Sequence, residues 1–322
     1  MRNRMLIGLA LAIISAATFG TSGSVAKGLL DSGWSPLAAV TWRVGVATLV
    51  LLVPALLMLR GRWHLLRTGW VSMALFGLLA VAACQLTYFL AVERISVAVA
   101  LLLEYLGIIL VVGWLWLRHG QRPRPLTIVG AAVAVAGLAF VLNLFGAIEI
   151  DLLGVFWGLC AAVGLAAYFI ISADESTGLP PLVLATGGLA IGTAGLVAVG
   201  LVGILPMTTA TGDVQLAGAA LPWWAAVLLL GVVAAAISYA TGIAATRRLG
   251  SKLGSFVGLT EVMFSFLWAW VLLGQMPAAI QLLGGALILT GVVLVKLDER
   301  PTDMLPEQAR EADDARPQPV EV

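Results

Sequence analysis

The chain has 322 residues, of which 61% are hydrophobic and only 11% charged, and its mean hydropathy is +1.04. Soluble domains carry roughly 25% charged residues, so this composition excludes an ordinary soluble globular protein. A formal net charge of +1 argues neither for nor against nucleic acid, but no basic stripe exists outside the loops, and we expect no nucleic acid partner. Cys84 and Cys160 both fall inside apolar stretches, where we expect free thiols and no disulfide framework.

Apolar stretches follow one another along most of the chain. A helix that crosses about 30 Å of hydrocarbon needs about 20 apolar residues. The sequence therefore predicts an all-α membrane protein with ten transmembrane helices. The predicted spans are Met5–Lys27, Pro36–Leu59, Gly69–Val92, Ile95–Leu117, Leu126–Leu142, Leu152–Ser172, Pro181–Leu205, Trp223–Thr246, Ser251–Leu273 and Pro277–Leu297.

Basic residues collect in the loops on one side of this predicted bundle. Such loops stay in the cytoplasm, because translocating Lys and Arg is unfavourable. The basic residues of that side are Arg2, Arg4, Arg60, Arg62, Arg67, Arg118, Arg122, Arg124, Arg247, Arg248, Lys252, Lys296, Arg300, Arg310 and Arg316. The opposite side holds Arg94, with Lys27 at its edge. We therefore expect a multi-pass plasma-membrane protein with both termini in the cytoplasm and the loops Asp31–Ser35, Asn143–Asp151 and Pro206–Pro222 outside.

The last five predicted spans repeat the first five. The matched positions are Gly33 with Gly178 and Pro36 with Pro181, 145 residues apart, and Arg94 with Arg248, Gly120 with Gly274, Gln121 with Gln275, Pro123 with Pro277, Gly130 with Gly284 and Gly137 with Gly291, 154 residues apart. An odd number of spans in each copy places the two copies in opposite orientations. Inverted repeats of this kind are how secondary transporters build two-sided access around one central site.

The repeat divides the chain into three predicted regions. Residues 1–143 form the first five-helix repeat, here called the first half, and residues 151–297 form the second repeat, the second half. Residues 298–322 are rich in Asp, Glu, Pro and Arg. Such a segment buries too little apolar surface to order itself, so we expect a disordered cytoplasmic tail.

Several motifs resemble a known transporter family. These are the Gly274-Gln275-Met276-Pro277 turn leading into Gly284–Gly291, Arg43 in span two, the stretches Leu103–Leu106 and Leu259–Val262, and the two five-helix copies. Together they resemble EamA-type members of the drug/metabolite transporter superfamily over about residues 5–297. The resemblance implies a ten-helix carrier that exports small metabolites such as amino acids or their analogues. Ile108 and Val262 stand where many members have proline, and Gln275 stands where the family has an acidic residue.

Two glutamates lie near the middle of predicted spans. Glu104 is about nine residues into span four, and Glu261 is about ten residues into span nine. Intramembrane carboxyl groups are rare and costly, so they are candidates for substrate binding or proton coupling. The alternative is that each carboxyl is hydrogen-bonded and only ties helices together.

Other polar side chains are weaker candidates for the binding site. Arg43 is present in one half only, and its planar fork suits a substrate carboxylate, although pairing with helix-end carbonyls is an alternative role. Lys27 lies near a helix end, where it can extend to the membrane surface. The polar groups at middle depth are Gln85, Thr87 and Tyr88 on span three and Ser238, Tyr239 and Thr241 on span eight.

These features predict a secondary transporter, an exporter of small polar or amphipathic metabolites that works by alternating access. The sequence has no nucleotide-binding loop, and we expect no cofactor, no metal and no catalytic residue. The expected partners are a small-molecule substrate and the lipid bilayer, with the oligomeric state open. The alternatives are an intramembrane enzyme, for which His64 and His119 offer no ligand spacing, and a non-transporting scaffold or sensor.

Overall fold

The computed structural model describes residues 2–119, 125–141, 151–258, 260–276 and 278–297. The predicted tail 298–322 and most of the predicted outer loop Asn143–Asp151 lie outside these residues. Within them the chain is mostly helical. The helices are α1 (Arg2–Asp31), α2 (Pro36–Leu59), α3 (His64–Thr68), α4 (Trp70–Leu75), α5 (Cys84–Arg94), α6 (Val97–Tyr105), α7 (Gly107–His119), α8 (Pro125–Val141), α9 (Leu152–Ala173), α10 (Pro181–Leu201), α11 (Trp223–Leu228), α12 (Ser238–Gly258), α13 (Thr260–Leu273) and α14 (Ala279–Leu297).

Seven helical stretches of the described residues are long and apolar enough to cross a membrane. They are Met5–Asp31, Pro36–Leu59, Trp70–Arg94, Val97–Arg118, Leu152–Ala173, Pro181–Leu201 and Trp223–Gly250. Three shorter apolar helical stretches are Pro125–Gly137, Thr260–Leu273 and Leu282–Gly291. Each of the ten falls within a predicted span or overlaps one, and the protein is therefore built as a helical, multi-pass membrane protein.

The starts of α2 and α10 show that repeated sequence forms repeated local structure in the two halves. Both helices begin with proline, at Pro36 and Pro181, which suits the first turn of a helix because no backbone donor is lost there. The glycine three residues earlier has positive φ in each case, 99° at Gly33 and 65° at Gly178. Only glycine adopts that conformation without strain, so both matched Gly–Pro pairs form the same type of connection.

Two π-helical segments interrupt the long helical stretches of spans three and eight. The first, π1, covers Phe76–Ala83, and the second, π2, covers Leu229–Ile237. At the 154-residue spacing, Phe76 corresponds to Leu230, within π2, and Ala83 corresponds to Ile237, its last residue. π-helical segments are rare in proteins, but those that occur often lie near functional sites. Each half therefore carries the same irregularity in its third helix.

A short β-hairpin occupies the connection between α10 and α11, which the sequence predicts only as a loop. Its strands are β1 (Val214–Leu216) and β2 (Ala219–Leu221), paired antiparallel. Ala217 at the tip donates its backbone N–H to the carbonyl of Leu272 at 2.7 Å, and the β1 side chains pack on α1 at Gly28. The hairpin thus covers the end of the bundle opposite the start of α1.

Span four and the entry to span nine depart from straight helices. Leu106 forms a turn between α6 and α7. Gly250 has φ 80° and ψ 163°, so α12 changes direction there. Its second part, 251–258, belongs to predicted span nine. Leu106 keeps helical dihedrals, φ −60° and ψ −17°, so α6 and α7 follow one another within the single helical stretch Val97–Arg118.

The halves pack into one bundle around a shared core. α1 lies against α12 and α13, and α5, α6 and α7 pack on α9. The final helices of the halves, α8 and α14, pack against each other, where the backbone of Gly130 closely approaches Gly291. Helices of the first half therefore meet helices of the second half along the central axis.

Candidate functional site

Two adjoining cavities lie between the halves. The larger holds about 610 Å³, including its mouth, and the smaller holds about 260 Å³. The residues that line both are Phe19, Gln85, Glu104 and Glu261. The larger cavity extends towards Ala12, Thr246 and Gly254, on the side where α1 begins, whereas the smaller includes Ser22, Arg43 and Tyr88. Most of the predicted site residues therefore surround one connected space.

The two glutamates face this space from opposite halves. Glu104 on α6 is 5% exposed, and its Oε1 accepts a hydrogen bond from the Sγ of Cys84 at 3.3 Å. Glu261 on α13 accepts a hydrogen bond at Oε2 from the hydroxyl of Tyr105 at 2.9 Å. Each carboxyl group therefore contacts one polar neighbour from the first half, and both are available to the same bound molecule.

Arg43 is fully buried beside the glutamates and connects the halves. One terminal nitrogen donates to Oε1 of Gln85, and the other donates to the carbonyl of Ala234 in π2 at 2.6 Å. Its Nε has no hydrogen-bond partner among the described residues, and none of their carboxylates lies within ion-pair distance of its guanidinium. The guanidinium carbon also lies 5.8 Å from the ring centres of Phe19 and Phe89. Arg43 therefore brings a positive charge to the cavity that forms no direct ion pair among the described residues.

The π-helical segments place matched residues at the cavity. Cys84 and Gln85 directly follow π1, and Ser238 and Tyr239 directly follow π2. These pairs are 154 residues apart, so the same backbone irregularity precedes the site in both halves. Gln85 and Tyr239 both line the larger cavity. The equivalence is closer than the match of Tyr88 with Tyr239 expected from the sequence.

Aromatic rings form one wall of the larger cavity. Phe19 packs on Tyr239 with ring centres 5.0 Å apart and on Tyr168 at 6.4 Å, and Tyr168 packs on Phe169 at 5.1 Å. The hydroxyl of Tyr239 is buried without a hydrogen-bond partner among the described residues. This wall offers apolar ring faces, with a free phenol at one edge, to a small amphipathic molecule.

The remaining predicted residues are less directly placed. Tyr88 lines the smaller cavity. Ser238 bonds its hydroxyl to the carbonyls of Ala234 and Ala235 at 2.8 and 3.0 Å, so its side chain is used within its own helical stretch. Thr87 and Thr241 likewise bond to carbonyls of the preceding turn, at Ala83 and Ile237. Lys27 pairs with Asp31 at 3.0 Å and lies outside both cavities.

Three cavity residues were not singled out as ligands in the sequence. Tyr105, Cys84 and Tyr168 all line the larger cavity, and the first two bond directly to the glutamates. Tyr105 lies next to Glu104 in the chain, yet its hydroxyl reaches Glu261, 156 residues away. Among the residues that the structure describes, no cluster of three His, Cys, Asp or Glu side chains has the arrangement of a metal site.

The sequence matches the EamA-like transporter family over residues 6–143 and again over residues 152–297. The chain belongs to this family. EamA-like transporters are part of the drug/metabolite transporter superfamily, so the resemblance inferred from the sequence motifs is confirmed. This EamA-like chain is therefore a multi-pass membrane transporter, and its family points away from an intramembrane enzyme.

Similar proteins from a bacterium and an archaeon carry transporter names. An uncharacterized inner membrane transporter of Salmonella typhimurium, YicL, is 24% identical over 301 residues, which cover 91% of this chain and 96% of that protein. An uncharacterized transporter of Archaeoglobus fulgidus is 25% identical over 224 residues, or 70% of this chain and 74% of that protein. A protein of known crystal structure has the same fold, with a TM-score of 0.62 and 21% identity over 92% of this EamA-like chain and 96% of its own.

Proposed function

We propose that this EamA-like transporter is a secondary carrier of the plasma membrane that exports small polar or amphipathic metabolites, such as amino acids or related compounds. It works by alternating access between inverted five-helix halves, with ten spans and both termini in the cytoplasm. The observation that supports this best is the pair of carboxyl groups, one from each half, on a single central cavity. Rocking of one half against the other exposes such a site to the two sides in turn.

Protons are the proposed driving ion. Glu104 and Glu261 are acidic groups at the centre of the transporter, where a charge is costly unless it is neutralised by a proton, an ion or a substrate. A carboxyl group that gives up its proton when the substrate binds couples the movement of protons to the movement of the substrate. Glu104 is hydrogen-bonded to Cys84 and Glu261 to Tyr105, so each carboxyl group has a polar partner in the first half, which supports a coupling role.

Arg43 is the proposed contact for an anionic group of the substrate. It places a positive charge at the smaller cavity, with Gln85, Tyr88 and Ser22 as neighbouring polar groups. Both terminal nitrogens are already hydrogen-bonded, so the substrate is attracted mainly by the charge and by the free Nε. A substrate with one anionic and one amino group has partners for both within the connected space.

The experiment begins with the substrate. Comparison of metabolites in the medium of cells with and without the protein identifies the exported compound, and purified protein in proteoliposomes then exchanges it. The wild type should respond to an imposed pH gradient. Glu104→Gln or Glu261→Gln should lose that response but still exchange substrate down its own gradient, because glutamine keeps shape and hydrogen bonding without titrating.

Glu93→Gln is the matched control. Glu93 is an exposed carboxylate at the end of α5, outside both cavities, and its replacement should leave the response to pH at the wild-type level. If Glu104→Gln, Glu261→Gln and the double variant all respond to pH as the wild type does, proton coupling through these groups is wrong.

A further inference from the structure

The hydroxyl of Tyr105 lies between two acceptors of the other half. It is 2.9 Å from Oε2 of Glu261 and 2.7 Å from the carbonyl oxygen of Gly258. A phenol has a single proton to donate. The hydroxyl can therefore make a full hydrogen bond to only one of these oxygens, and the other contact needs a proton from elsewhere.

Protonation of Glu261 satisfies both contacts. A protonated carboxyl group donates to the oxygen of Tyr105, and Tyr105 then donates to the carbonyl of Gly258. An ionised carboxylate is the stronger acceptor, because hydrogen bonds to charged groups are roughly twice as strong as neutral ones. Ionisation therefore turns the phenol proton towards Glu261 and takes the hydrogen bond away from Gly258.

We propose that Tyr105 is a positioning residue that links the protonation state of Glu261 to the hydrogen bond between the end of α6 in the first half and the end of α12 in the second. Tyr105 ends α6 of the first half, and Gly258 ends α12 of the second. With a proton on Glu261, the hydrogen-bonded chain from carboxyl to phenol to carbonyl ties these helix ends together. Without that proton, the tie to Gly258 is lost. This inference rests on the proposed function, since it gives the proton a structural consequence.

The position of the tie explains its effect on access. Tyr105, Gly254 and Gly258 all line the larger cavity. The two glycines belong to the wall formed by the second part of α12, and Tyr105 reaches that wall from α6. The carbonyl of a helix-terminal residue needs a partner from outside its own helix. Loss of the phenol partner thus loosens this wall, next to Ala12 and Thr246 at the end of the bundle where α1 begins.

Other charged and titratable groups also act on Glu261. Those that face it in the described structure are Glu104 and Tyr105 on α6, Arg43 on α2, Cys84 and Tyr88 on α5, Tyr168 on α9 and Tyr239 on α12. α1 packs on α13 as well, and its Lys27 is paired with Asp31 near the far end. Of all these groups, Tyr105 alone is hydrogen-bonded to the Glu261 carboxyl in the described residues.

The test measures access to the cavity as a function of pH, without substrate or gradient. Ala12→Cys places a thiol on the cavity wall, and Ser176→Cys places a second thiol in an exposed loop of the same molecule. Alkylation of both by a water-soluble reagent is followed in lipid nanodiscs by mass spectrometry, which separates them from Cys84 and Cys160. The ratio of the two rates cancels the general dependence of thiol reactivity on pH.

We expect this ratio to rise about fivefold between about pH 5 and about pH 9, the factor expected for loss of one hydrogen bond. Tyr105→Phe removes the tie at every pH, so its ratio should be high and independent of pH. Glu261→Gln keeps a donor for the tyrosine oxygen and resembles the protonated state, so its ratio should be low and independent of pH. Glu93→Gln is the control, because Glu93 is an exposed carboxyl group outside both cavities, and this variant should follow the wild type.

Two results would overturn the inference. One is a wild-type pH profile in Tyr105→Phe, and the other is a Glu261→Gln variant that stays at the high ratio. If Tyr105→Phe does not fold, the Glu261→Gln variant alone still tests the inference. The proposed function is tested separately. If the protein shows the expected labelling pattern but its transport in proteoliposomes does not respond to a pH gradient, Tyr105 has the inferred role and proton-driven transport is wrong.

Discussion

Arg43 holds together parts of the chain that are far apart in sequence. Its two terminal nitrogens bond to Gln85 of the first half and to Ala234 of the second, while its Nε stays free. The sequence analysis left two roles open for Arg43, contact with the substrate and structural pairing. The hydrogen bonds support the structural link, because each terminal nitrogen meets a different half, and contact with the substrate stays a prediction.

Arg43→Lys is expected to reach the membrane but to unfold more easily and to transport less. Lysine keeps the positive charge, but its compact ammonium cannot span both acceptors. Loss of one hydrogen bond to a charged group costs about 1.5–3 kcal/mol of unfolding free energy. Thermal unfolding in detergent and substrate exchange in proteoliposomes measure the two effects. Arg248→Lys, at an exposed arginine bonded within its own helix, is the control, and an unchanged unfolding temperature for Arg43→Lys would contradict the bridging role.

Asp151 stabilises the start of α9 in a pH-dependent way. Its Oδ1 accepts from the backbone N–H of Leu153 at 2.8 Å and of Gly154 at 3.0 Å, and its Oδ2 lies 3.0 Å from Arg94. The Gly154 N–H and then the Arg94 guanidinium hold the pKa of the Asp151 carboxyl below its usual range. Its contribution is therefore present above the ordinary aspartate pKa of about 4 and is lost as the pH falls through the lower folded-state value.

Asp151→Asn should lower the unfolding temperature slightly at neutral pH. The amide can still cap the helix, but it loses the pairing with Arg94, which is exposed and therefore weak. The difference from wild type should shrink as the pH falls below about 4 and also at high salt. Scanning calorimetry across pH tests this, with Asp213→Asn in an exposed loop as the control. A difference that persists unchanged at low pH would show that the carboxylate charge is not its cause.

At the scale of the helix, close backbone contacts join the two halves. Gly77 in π1 lies against Gly188 and Gly192 of α10: a Cβ on Gly77 would be 2.5 Å from the Gly188 carbonyl oxygen, and one on Gly192 would be 2.9 Å from the Gly77 carbonyl oxygen. Helices approach this closely in membranes only where small residues face each other. This contact between span three and α10 therefore depends on glycine at three positions.

Gly77→Ala is expected to destabilise the protein by about 1–3 kcal/mol, since overpacking forces the backbones apart. Gly113→Ala is the matched control, because a Cβ there meets no heavy atom within 4 Å. Alanine should be neutral at that position or stabilising by about 0.5–1 kcal/mol, through its better helix propensity. Unfolding in detergent compares the two variants. Equal effects would show that the Gly77 contact is looser than described.

The sequence predicts helices well and their irregularities poorly. Apolar length alone located every long helix, because hydrocarbon thickness sets a length that composition displays directly. The residues of π1 are as apolar as those of any neighbouring turn, so nothing in their pattern marks a change of hydrogen-bond register. The turn at Leu106 was not predicted for the same reason, and the hairpin 214–221 is too short for a strand pattern to be distinct within a loop.

The residues of the candidate site could likewise be predicted only in part. Glu104, Glu261 and Arg43 could be predicted because a charge within an apolar span is conspicuous wherever it occurs. Tyr105 was not predicted, although Tyr88 and Tyr239 were, because nothing in the sequence places its hydroxyl beside Glu261. Its role depends on a contact with a residue 156 positions later, which only the packing of the two halves produces.

At the scale of the whole molecule, the orientation in the membrane remains a prediction from loop charges. The structure does guide its test, since Ser35 is buried by its hydrogen bonds with Thr208 and is a poor labelling site, and Arg122 lies outside the described residues. Thr209 and Arg62 are exposed in loops at opposite ends of the bundle and serve better.

We expect Thr209→Cys to react with a membrane-impermeant thiol reagent in intact cells, and Arg62→Cys to react only after permeabilisation. The reason is that Arg60, Arg62 and Arg67 form a basic loop, which stays in the cytoplasm. Cys84 and Cys160 are replaced by serine so that only the added thiol reports. Reaction of Arg62→Cys in intact cells would reverse the orientation, and reaction of both would contradict two separate sides.

The paired π-helical segments also bear on the history of the gene. A π-helical turn holds more residues than an α-helical turn, because its hydrogen bonds span five residues instead of four. π1 and π2 lie at corresponding positions of two regions that each match the same family. One such irregularity in a five-helix unit, copied when that unit duplicated, explains both segments more simply than two independent events. The two halves therefore correspond not only in the order of their helices but also in the hydrogen-bond register next to the cavity.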